Sequence, residues 1–208
     1  MPNRIITIER EYASGGRQIG KKVADELGIP FYNREILEMA AEKSGVSPDY
    51  LENAEEMAPK SFLYSLMLSS NPTRSIEENL PLSDKIYIIE SKIIQEVADK
   101  GDCVIVGRCA NYILGDKHDV FNVFIYSNMQ NRIKRAVEEY GIEKKKVNSI
   151  LKKFDKRRET FYSVNTGGNW YDKENYAMCL NSGVLGINFS AKLIIESLNG
   201  RIHKKINE

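Results

Sequence analysis

Residues 5–20 read IITIEREYASGGRQIG, an apolar run followed by a polar loop that contains two adjacent glycines. The run from Ile5 to Ile8 is short and β-branched, which is typical of a buried parallel strand. Beyond the loop, apolar residues recur at helical spacing, at Ile19, Val23, Ala24 and Leu27. Gly28 and Pro30 predict the end of that helix. The stretch therefore predicts a strand, a glycine turn and a helix in direct succession.

The glycine turn is suited to holding a phosphate group. Gly15 and Gly16 can take φ values closed to other residues, so successive backbone N–H groups can point inward at an anion. The helix that begins there adds a charge of about +0.5 at its N-terminus. The predicted phosphate-binding residues are therefore Ser14, Gly15, Gly16, Arg17 and Gln18.

The loop departs from the standard phosphate-loop pattern, G-x-x-x-x-G-K-[ST]. When Ser14-Gly15 is placed on the late part of that pattern, Arg10 stands at the first glycine and Gly16 stands at the lysine. The cation that would bridge the outer phosphates must then be another residue. Arg17 is the nearest candidate, because its guanidinium can bind two phosphate oxygens.

The same alignment affects metal binding. We assign Gln18 to the position of the magnesium-binding hydroxyl. An amide there removes the usual Ser or Thr ligand, which leaves Ser14, Glu9 or water to bind the ion.

The rest of the chain alternates strand and helix patterns. Strands are predicted at 31–32, 103–106, 120–126 and 176–180. Helices are predicted from Asn33 as a cap, along 86–97 to a stop at Gly101, from a capping box of Ser127 and Gln130, at 147–154 and at 191–198. Parallel strands need right-handed helical crossovers, so this order predicts an α/β fold with a five-stranded parallel sheet covered by helices on both faces.

Residues 46–83 interrupt this alternation. The segment holds four of the chain's six prolines: Pro48, Pro59, Pro72 and Pro81. We predict a helical insertion that leaves the sheet, with a mobile loop near 69–82. The length of 208 residues is compatible with a single domain over 1–208 that carries this insertion.

The composition excludes several classes of protein. A net charge of +1 argues against a dedicated binder of nucleic acid or of anionic membranes. The sequence shows neither a run of 18 apolar residues nor a signal peptide, so we expect no membrane association. The three cysteines show no CxxC spacing, which favours free thiols in a reducing, cytoplasmic compartment.

Three stretches resemble the cytidylate-kinase-like family of P-loop proteins: IITIEREYASGGRQIGKKVADELGIPFYNREIL at 5–37, VIVGRCANYIL at 104–114, and residues 155–181. The resemblance spans nearly the whole chain, and its elements come in the right order. The family is similar to true cytidylate kinases, which transfer a phosphoryl group from ATP to CMP or dCMP with Mg²⁺. It implies a three-layer P-loop kinase fold, a nucleoside-monophosphate-binding insertion at 46–83 and a lid at 141–173.

The resemblance also implies which residues bind the acceptor. Gly107-Arg108 matches the Gly-Arg after the third strand, whose arginine contacts the acceptor nucleotide in kinases. Asn33 stands where kinases carry an Asp beside the acceptor, and Arg34 follows it. The implied acceptor-binding residues are Asn33, Arg34 and Arg108, although Cys109 replaces the Asp that follows in kinases.

A further match concerns the lid. Asp155 and Arg158 resemble the lid's D-x-x-R, in which the arginine faces the transferred phosphate and the aspartate orients the site. The implied catalytic residues are therefore Arg17, Asp155 and Arg158. Arg132 lies early in the helix after the fourth strand, where it either faces solvent or binds the donor nucleotide. Trp170 either docks on a base or anchors its loop to the core.

The leading functional hypothesis is ATP- and Mg²⁺-dependent phosphoryl transfer to a nucleoside monophosphate, CMP or dCMP in type. The alternatives are a non-catalytic nucleotide-binding protein with a degenerate phosphate loop, and a kinase of a non-nucleotide small metabolite. If Arg17 replaces the lysine, Arg17→Ala is expected to reduce transfer by about 100-fold or more. The expected partner is a small-molecule nucleotide, and a homodimer through the 46–83 helices is one option for its assembly.

Overall fold

The structure is a computed structural model that describes residues 4–45, 47, 82–115 and 118–207. Five strands form one parallel sheet in the order β2-β3-β1-β4-β5. The strands are β1 (Ile5–Arg10), β2 (Phe31–Tyr32), β3 (Cys103–Val106), β4 (Val120–Tyr126) and β5 (Met178–Asn181). Ile5 lies between Cys103 and Val120 in the register, so β1 is the central strand. The predicted five-stranded parallel sheet is confirmed.

Helices connect these strands and cover both faces of the sheet. They are α1 (Gly16–Leu27), α2 (Glu35–Ser44), α3 (Leu82–Asp99), α4 (Ala110–Leu114), α5 (Met129–Glu138), α6 (Val147–Thr166) and α7 (Ser182–Asn207). A short 3₁₀ helix, Lys173–Asn175, precedes β5. Helix α7 is interrupted at Gly186, whose φ is 74° and whose ψ is 165°.

Two hydrophobic clusters lie on opposite faces of the sheet, because alternate residues of a strand point to opposite sides. On one face Ile5 and Ile105 pack with residues of α2, α3 and α4. On the other face Ile6, Ile8 and Val104 pack with residues of α1 and α7. Burial on both faces explains why the strands of this sheet are continuous apolar runs.

Helix α2 begins differently from the prediction that Asn33 caps it. The residue before its first turn is Arg34, and no side chain accepts a capping hydrogen bond there. The Asn33 N–H instead donates to Glu35 Oε2 at 2.8 Å. The Glu35 carboxylate in the first turn of α2 thus accepts the N–H of the residue two positions earlier. The prediction that Asn33 caps α2 was wrong.

Helix α5 and strand β5 also begin later than predicted. The cap of α5 is Asn128, whose side chain accepts the Asn131 N–H at 2.9 Å. The Ser127 N–H is engaged by Glu11 Oε2 at 3.1 Å, which keeps Ser127 outside the helix. Tyr176 precedes β5 because its N–H donates to the Lys173 carbonyl at 3.1 Å, which makes it the cap of the 3₁₀ helix.

Most of the predicted insertion at 46–83, with its loop near 69–82, lies outside the described residues. Within the predicted lid range of 141–173, the structure places the whole of α6. None of the described helices has the length and apolar character needed to cross a membrane.

The three cysteines should differ in their reactivity toward alkylating reagents. Cys103 and Cys109 are buried, whereas Cys179 is exposed. Burial raises the pKa of Cys103 to about 12, and it also raises the pKa of Cys179 above its ordinary value. Because the thiolate is the reactive form, iodoacetamide at about pH 8 should label Cys179 alone in the folded protein and all three thiols in urea. Mass spectrometry measures this, and rapid native labelling of Cys103 would contradict the packing described for β3.

Candidate active site

The loop between β1 and α1 is held in a compact turn. Ala13 and Gly15 both have a left-handed backbone, with φ of 58° and 84°. A Cβ at Gly15 would lie 2.4 Å from Ile187 Cδ1, so glycine is needed there for space as well as for conformation. The Gly15 carbonyl accepts the Ile19 N–H at 2.9 Å, which starts α1 directly after the turn. The predicted strand, glycine turn and helix are confirmed.

Ser14 lies inside this loop. Its side chain is fully buried, and its hydroxyl donates to the Glu11 carbonyl at 2.9 Å. The Ser182 hydroxyl donates to the Ser14 carbonyl from the start of α7. The Ser14 hydroxyl thus stabilises the shape of the loop.

Arg132, on α5, binds the backbone and a side chain of the loop between β1 and α1. Its Nε donates to the Tyr12 carbonyl at 2.8 Å, and its Nη1 lies 3.2 Å from Glu11 Oε2. Its Nη2 donates to Asp155, which also accepts the Tyr12 N–H at 2.7 Å. Burial raises the pKa of Glu11, while the Ser127 N–H and Arg132 act in the opposite direction. Arg132, which is buried, and the half-buried Glu11 and Asp155 form a cluster that fixes the backbone at Tyr12, which we call the loop clamp.

Two residues of the loop clamp, Arg132 and Asp155, were predicted as site residues from the sequence. The Arg132 side chain is 4% exposed, so its alternative placement on a solvated helical face was wrong. Arg132 and Asp155 do not line either of the two cavities described next. A contact of Arg132 with nucleotide and an orienting role for Asp155 stay predictions, and both residues act on the loop in this structure.

Two cavities open at the carboxyl edge of the sheet. The first, the arginine cavity, measures 350 Å³ and is lined by six arginines: Arg10, Arg17, Arg34, Arg108, Arg157 and Arg158. The second, the loop cavity, measures 970 Å³ and lies over the glycine turn and the first turns of α1. Four residues line both cavities: Arg10, Arg17, Asn33 and Arg158. The concentration of positive charge at one edge indicates an anionic ligand.

The structure brings the three predicted acceptor residues together at the arginine cavity. Arg108 follows β3 with a φ of 57°, and its Nη1 donates to the Asn33 carbonyl at 2.7 Å. Its Nε donates to Glu90 Oε1 of α3 at 2.7 Å, and the Glu90 side chain is fully buried. Asn33 and Arg34 line the same cavity. Arg108 is thereby fixed in the cavity wall, although its role toward an acceptor stays a prediction.

Arg158 extends from α6 to the junction of the two cavities. Its Nη1 donates to the Arg10 carbonyl at 3.1 Å, and its guanidinium lies 5.3 Å from the centre of the Tyr12 ring. Burial lowers the pKa of Arg158, and the carboxylates of Asp155 and Glu9 act in the opposite direction. Since a guanidinium stays protonated in proteins, Arg158 presents a permanent positive charge where the cavities meet.

Glu9 is the one carboxylate among the described residues that line the arginine cavity. Its Oε2 accepts the Trp170 indole N–H at 3.0 Å. Trp170 is fully buried in a cluster with Phe124 and Tyr176, so the alternative that it anchors its loop is confirmed.

The residues at this edge fit a magnesium ion that is shared with phosphates. The described residues hold no cluster of three or more His, Cys, Asp or Glu that could bind a metal by itself. Mg²⁺ is commonly held by one or two carboxylates together with water and substrate phosphates. Glu9 suits this arrangement, whereas the Ser14 hydroxyl is turned into the loop.

Gln18 does not stand at the hydroxyl position of the standard pattern. In the standard pattern the hydroxyl directly follows the lysine, so its position falls on Arg17, and the assignment of Gln18 was one residue too far along the chain. Gln18 is exposed, and its amide donates to Glu139 Oε2 at 2.8 Å. Gln18 therefore ties α1 to the end of α5, and it still lines the loop cavity.

Sequence reasoning gave no role to Arg10. The structure places its side chain at the boundary of both cavities, with Nη1 4.0 Å from Glu9 Oε2. One signal was present in the sequence: the loop has an arginine where the pattern has glycine, and a glycine where the pattern has lysine.

Comparison with known proteins gives a family and a fold. The model of the cytidylate kinase-like family matches residues 5–184. The crystal structure of an uncharacterized protein from Eubacterium ventriosum is similar, with 26% identity, a TM-score of 0.69, and coverage of 94% of this chain and 98% of that chain. A shikimate kinase from Bacteroides thetaiotaomicron shares the fold, with 14% identity, a TM-score of 0.52, and coverage of 94% and 98%. No protein with a curated description matches the sequence. The chain belongs to the cytidylate kinase-like family and has the fold of P-loop kinases.

Proposed function

We propose that this protein transfers a phosphoryl group from ATP to a nucleoside monophosphate of the CMP or dCMP type. One observation carries the proposal: the loop cavity and the arginine cavity share the wall formed by Arg10, Arg17, Asn33 and Arg158. A donor whose phosphates lie in the loop and an acceptor in the arginine cavity would meet at that wall. Membership of the cytidylate kinase-like family supports a CMP-type acceptor.

Phosphoryl transfer needs positioning and neutralisation of charge more than it needs a nucleophilic side chain. The N–H groups at Gly15 and Gly16 would hold the donor's phosphates at the N-terminus of α1. Arg158, at the shared wall, would neutralise the group in transfer, and Arg17 at the rim would bind outer phosphate oxygens. Glu9 would hold Mg²⁺, which would supply positive charge to offset that of the donor's phosphates.

The acceptor's own charge is indicated by the wall of the arginine cavity. Arg34 and Arg108 line it beside Asn33, with Glu9 as the one carboxylate in the described lining. Such a surface favours a ligand with a dianionic phosphate over a neutral metabolite, because the guanidinium fork binds two phosphate oxygens. Asp155 acts on this reaction as a positioning residue, through the loop clamp.

A second candidate is a nucleotide-binding protein that does not catalyse transfer. It is favoured by the glycine at the lysine position, Gly16, together with the absence of a hydroxyl at Arg17. In that case ATP would bind in the loop cavity without turnover.

An acceptor screen with labelled ATP and Mg²⁺ tests the proposal. We expect labelled product with CMP or dCMP, and at least about tenfold lower kcat/KM with AMP or with phosphate-free hydroxy acids, because these lack either the expected base or the dianionic phosphate. Omission of Mg²⁺ serves as the control and should abolish product. Thermal stabilisation by ATP without turnover on any acceptor would favour the second candidate, and turnover on a phosphate-free acceptor alone would show a metabolite kinase.

A further inference from the structure

Gly16 and Gly107 mark the path of the Arg10 side chain across the phosphate loop. Gly16 opens α1, and Gly107 follows β3, the strand that neighbours β1. We propose that Arg10 supplies the phosphate-bridging cation in place of the lysine that this loop lacks. This inference rests on the proposed function, since it concerns the same loop and the same phosphates.

The side chain of Arg10 fills the space above Gly16. A Cβ at Gly16 would lie 2.5 Å from Arg10 Cβ and 2.9 Å from Arg10 Cγ, which is closer than non-bonded carbon atoms approach. The stem of Arg10 therefore occupies the volume into which a lysine at position 16 would extend. An arginine at position 10 and a lysine at position 16 exclude one another. In the standard pattern glycine stands at the position of Arg10, and lysine stands at the position of Gly16. This loop has therefore exchanged the glycine and the cation.

The guanidinium of Arg10 lies against Gly107. A Cβ at Gly107 would lie 2.1 Å from Arg10 Nη1 and 3.0 Å from Cζ. The Gly107 N–H donates to the Ile8 carbonyl at 3.0 Å, which fixes this glycine against β1. The guanidinium is thus confined to the gap between the ends of β1 and β3, where it lines both cavities. The charge lies at the position where donor and acceptor phosphates would meet.

Arg10 and Arg17 differ in their exposure to solvent. The Arg10 side chain is 17% exposed, and its carbonyl accepts a hydrogen bond from Arg158. Arg17 is exposed on the first turn of α1. A confined guanidinium loses less side-chain entropy on binding phosphate and is less screened by water than an exposed one. The bridging role that the sequence suggested for Arg17 therefore passes to Arg10, with Arg17 at the rim.

A residue exchange tests this inference: Arg10→Gly, Gly16→Lys and the double variant R10G/G16K, which restores the standard pattern. Phosphoryl transfer from labelled ATP and the affinity for ATP, by calorimetry, are the two readouts. Each single variant should reduce transfer by about 100-fold. Arg10→Gly removes the cation, and Gly16→Lys places a lysine side chain in the volume that Arg10 occupies. The double variant should recover at least about tenfold over Arg10→Gly, because contacting residues are not additive. A double variant no better than the worse single variant would overturn the inference.

A second pair of variants moves the guanidinium without removing it. Gly107→Ala places a methyl group on Arg10 Nη1, whereas Gly28→Ala imposes a similar left-handed strain, with φ of 64° against 81°, in open space. We expect Gly107→Ala to reduce ATP affinity and transfer by at least about tenfold, and Gly28→Ala to leave both unchanged. If the two glycine-to-alanine variants lose ATP affinity and transfer equally, backbone strain alone explains the loss. That result would contradict the proposal.

Arg10→Met and Arg17→Ala separate this inference from the proposed function. Arg10→Met keeps an unbranched stem over Gly16 without the charge, and its melting temperature shows whether it folds. A larger loss of ATP affinity in Arg10→Met than in Arg17→Ala supports the inference even if no acceptor is phosphorylated, in which case only the proposed transfer fails. The reverse ranking, or a wild-type chain that binds neither ATP nor tripolyphosphate, overturns it.

Discussion

Replacing Arg132 with alanine is expected to lower the free energy of unfolding by about 3 kcal/mol, because it removes the buried cation of the loop clamp. The substitution leaves the carboxylates of Glu11 and Asp155 close together without their cation. It also leaves the Tyr12 carbonyl without its 2.8 Å donor. Urea unfolding at neutral pH measures the loss.

Lys134→Ala is the matched control for this prediction. Lys134 lies on the same helix, α5, and is exposed, so its removal should change stability by less than about 0.5 kcal/mol. Arg132→Lys should recover only part of the loss, because an ammonium cannot bond two carboxylates and a carbonyl in a fixed plane. A loss in Arg132→Ala below about 1 kcal/mol would mean that the loop clamp behaves as a solvated surface pair.

The largest effect on activity is expected from Arg158→Ala. Phosphoryl transfer should fall by about 100- to 1000-fold, as it does when one donor to a developing negative charge is removed. Arg158 lines both cavities, and it holds the Arg10 carbonyl at 3.1 Å. The loss should appear in kcat and in kcat/KM alike, because the interaction strengthens in the transition state.

Lys156→Ala controls for removal of a positive charge from α6. Its side chain is 73% exposed, so transfer should remain at the wild-type rate. Arg158→Lys keeps a cation and should retain more activity than the alanine variant. Melting temperatures of all three variants separate a loss of folding from a loss of chemistry. A rise in KM with unchanged kcat in Arg158→Ala would assign Arg158 to substrate binding alone.

The fold could be predicted because its strongest signals are local. The runs at 5–8 and 103–106 are apolar without alternation, since these strands are buried on both faces. The glycine turn before α1 is also local, because a left-handed backbone at Gly15 favours one residue type. The start of α5 was missed for a non-local reason. Ser127 is held by Glu11, 116 residues earlier, so the cap falls on Asn128.

The candidate site could be predicted in its parts. The sequence identified the loop at 14–18 and the arginines at 17, 34, 108 and 158, since each follows a strand or stands in a recognisable motif. It did not show that Arg34, Arg108 and Arg158 line one cavity with Arg10 and Arg157. Convergence at a sheet edge depends on strand order, and the order β2-β3-β1-β4-β5 is a tertiary property.

By itself, the sequence determined the α/β alternation, the family resemblance and the place of the phosphate loop, because hydrophobic period and glycine conformation act over a few residues. Only the tertiary structure decided what the charged residues of that loop do. It turned Arg132 inward to clamp the backbone at Tyr12. It also laid Arg10 across Gly16 toward Gly107, a residue 97 positions away. A side chain's direction depends on the space that neighbouring elements leave, and these neighbours are distant in sequence.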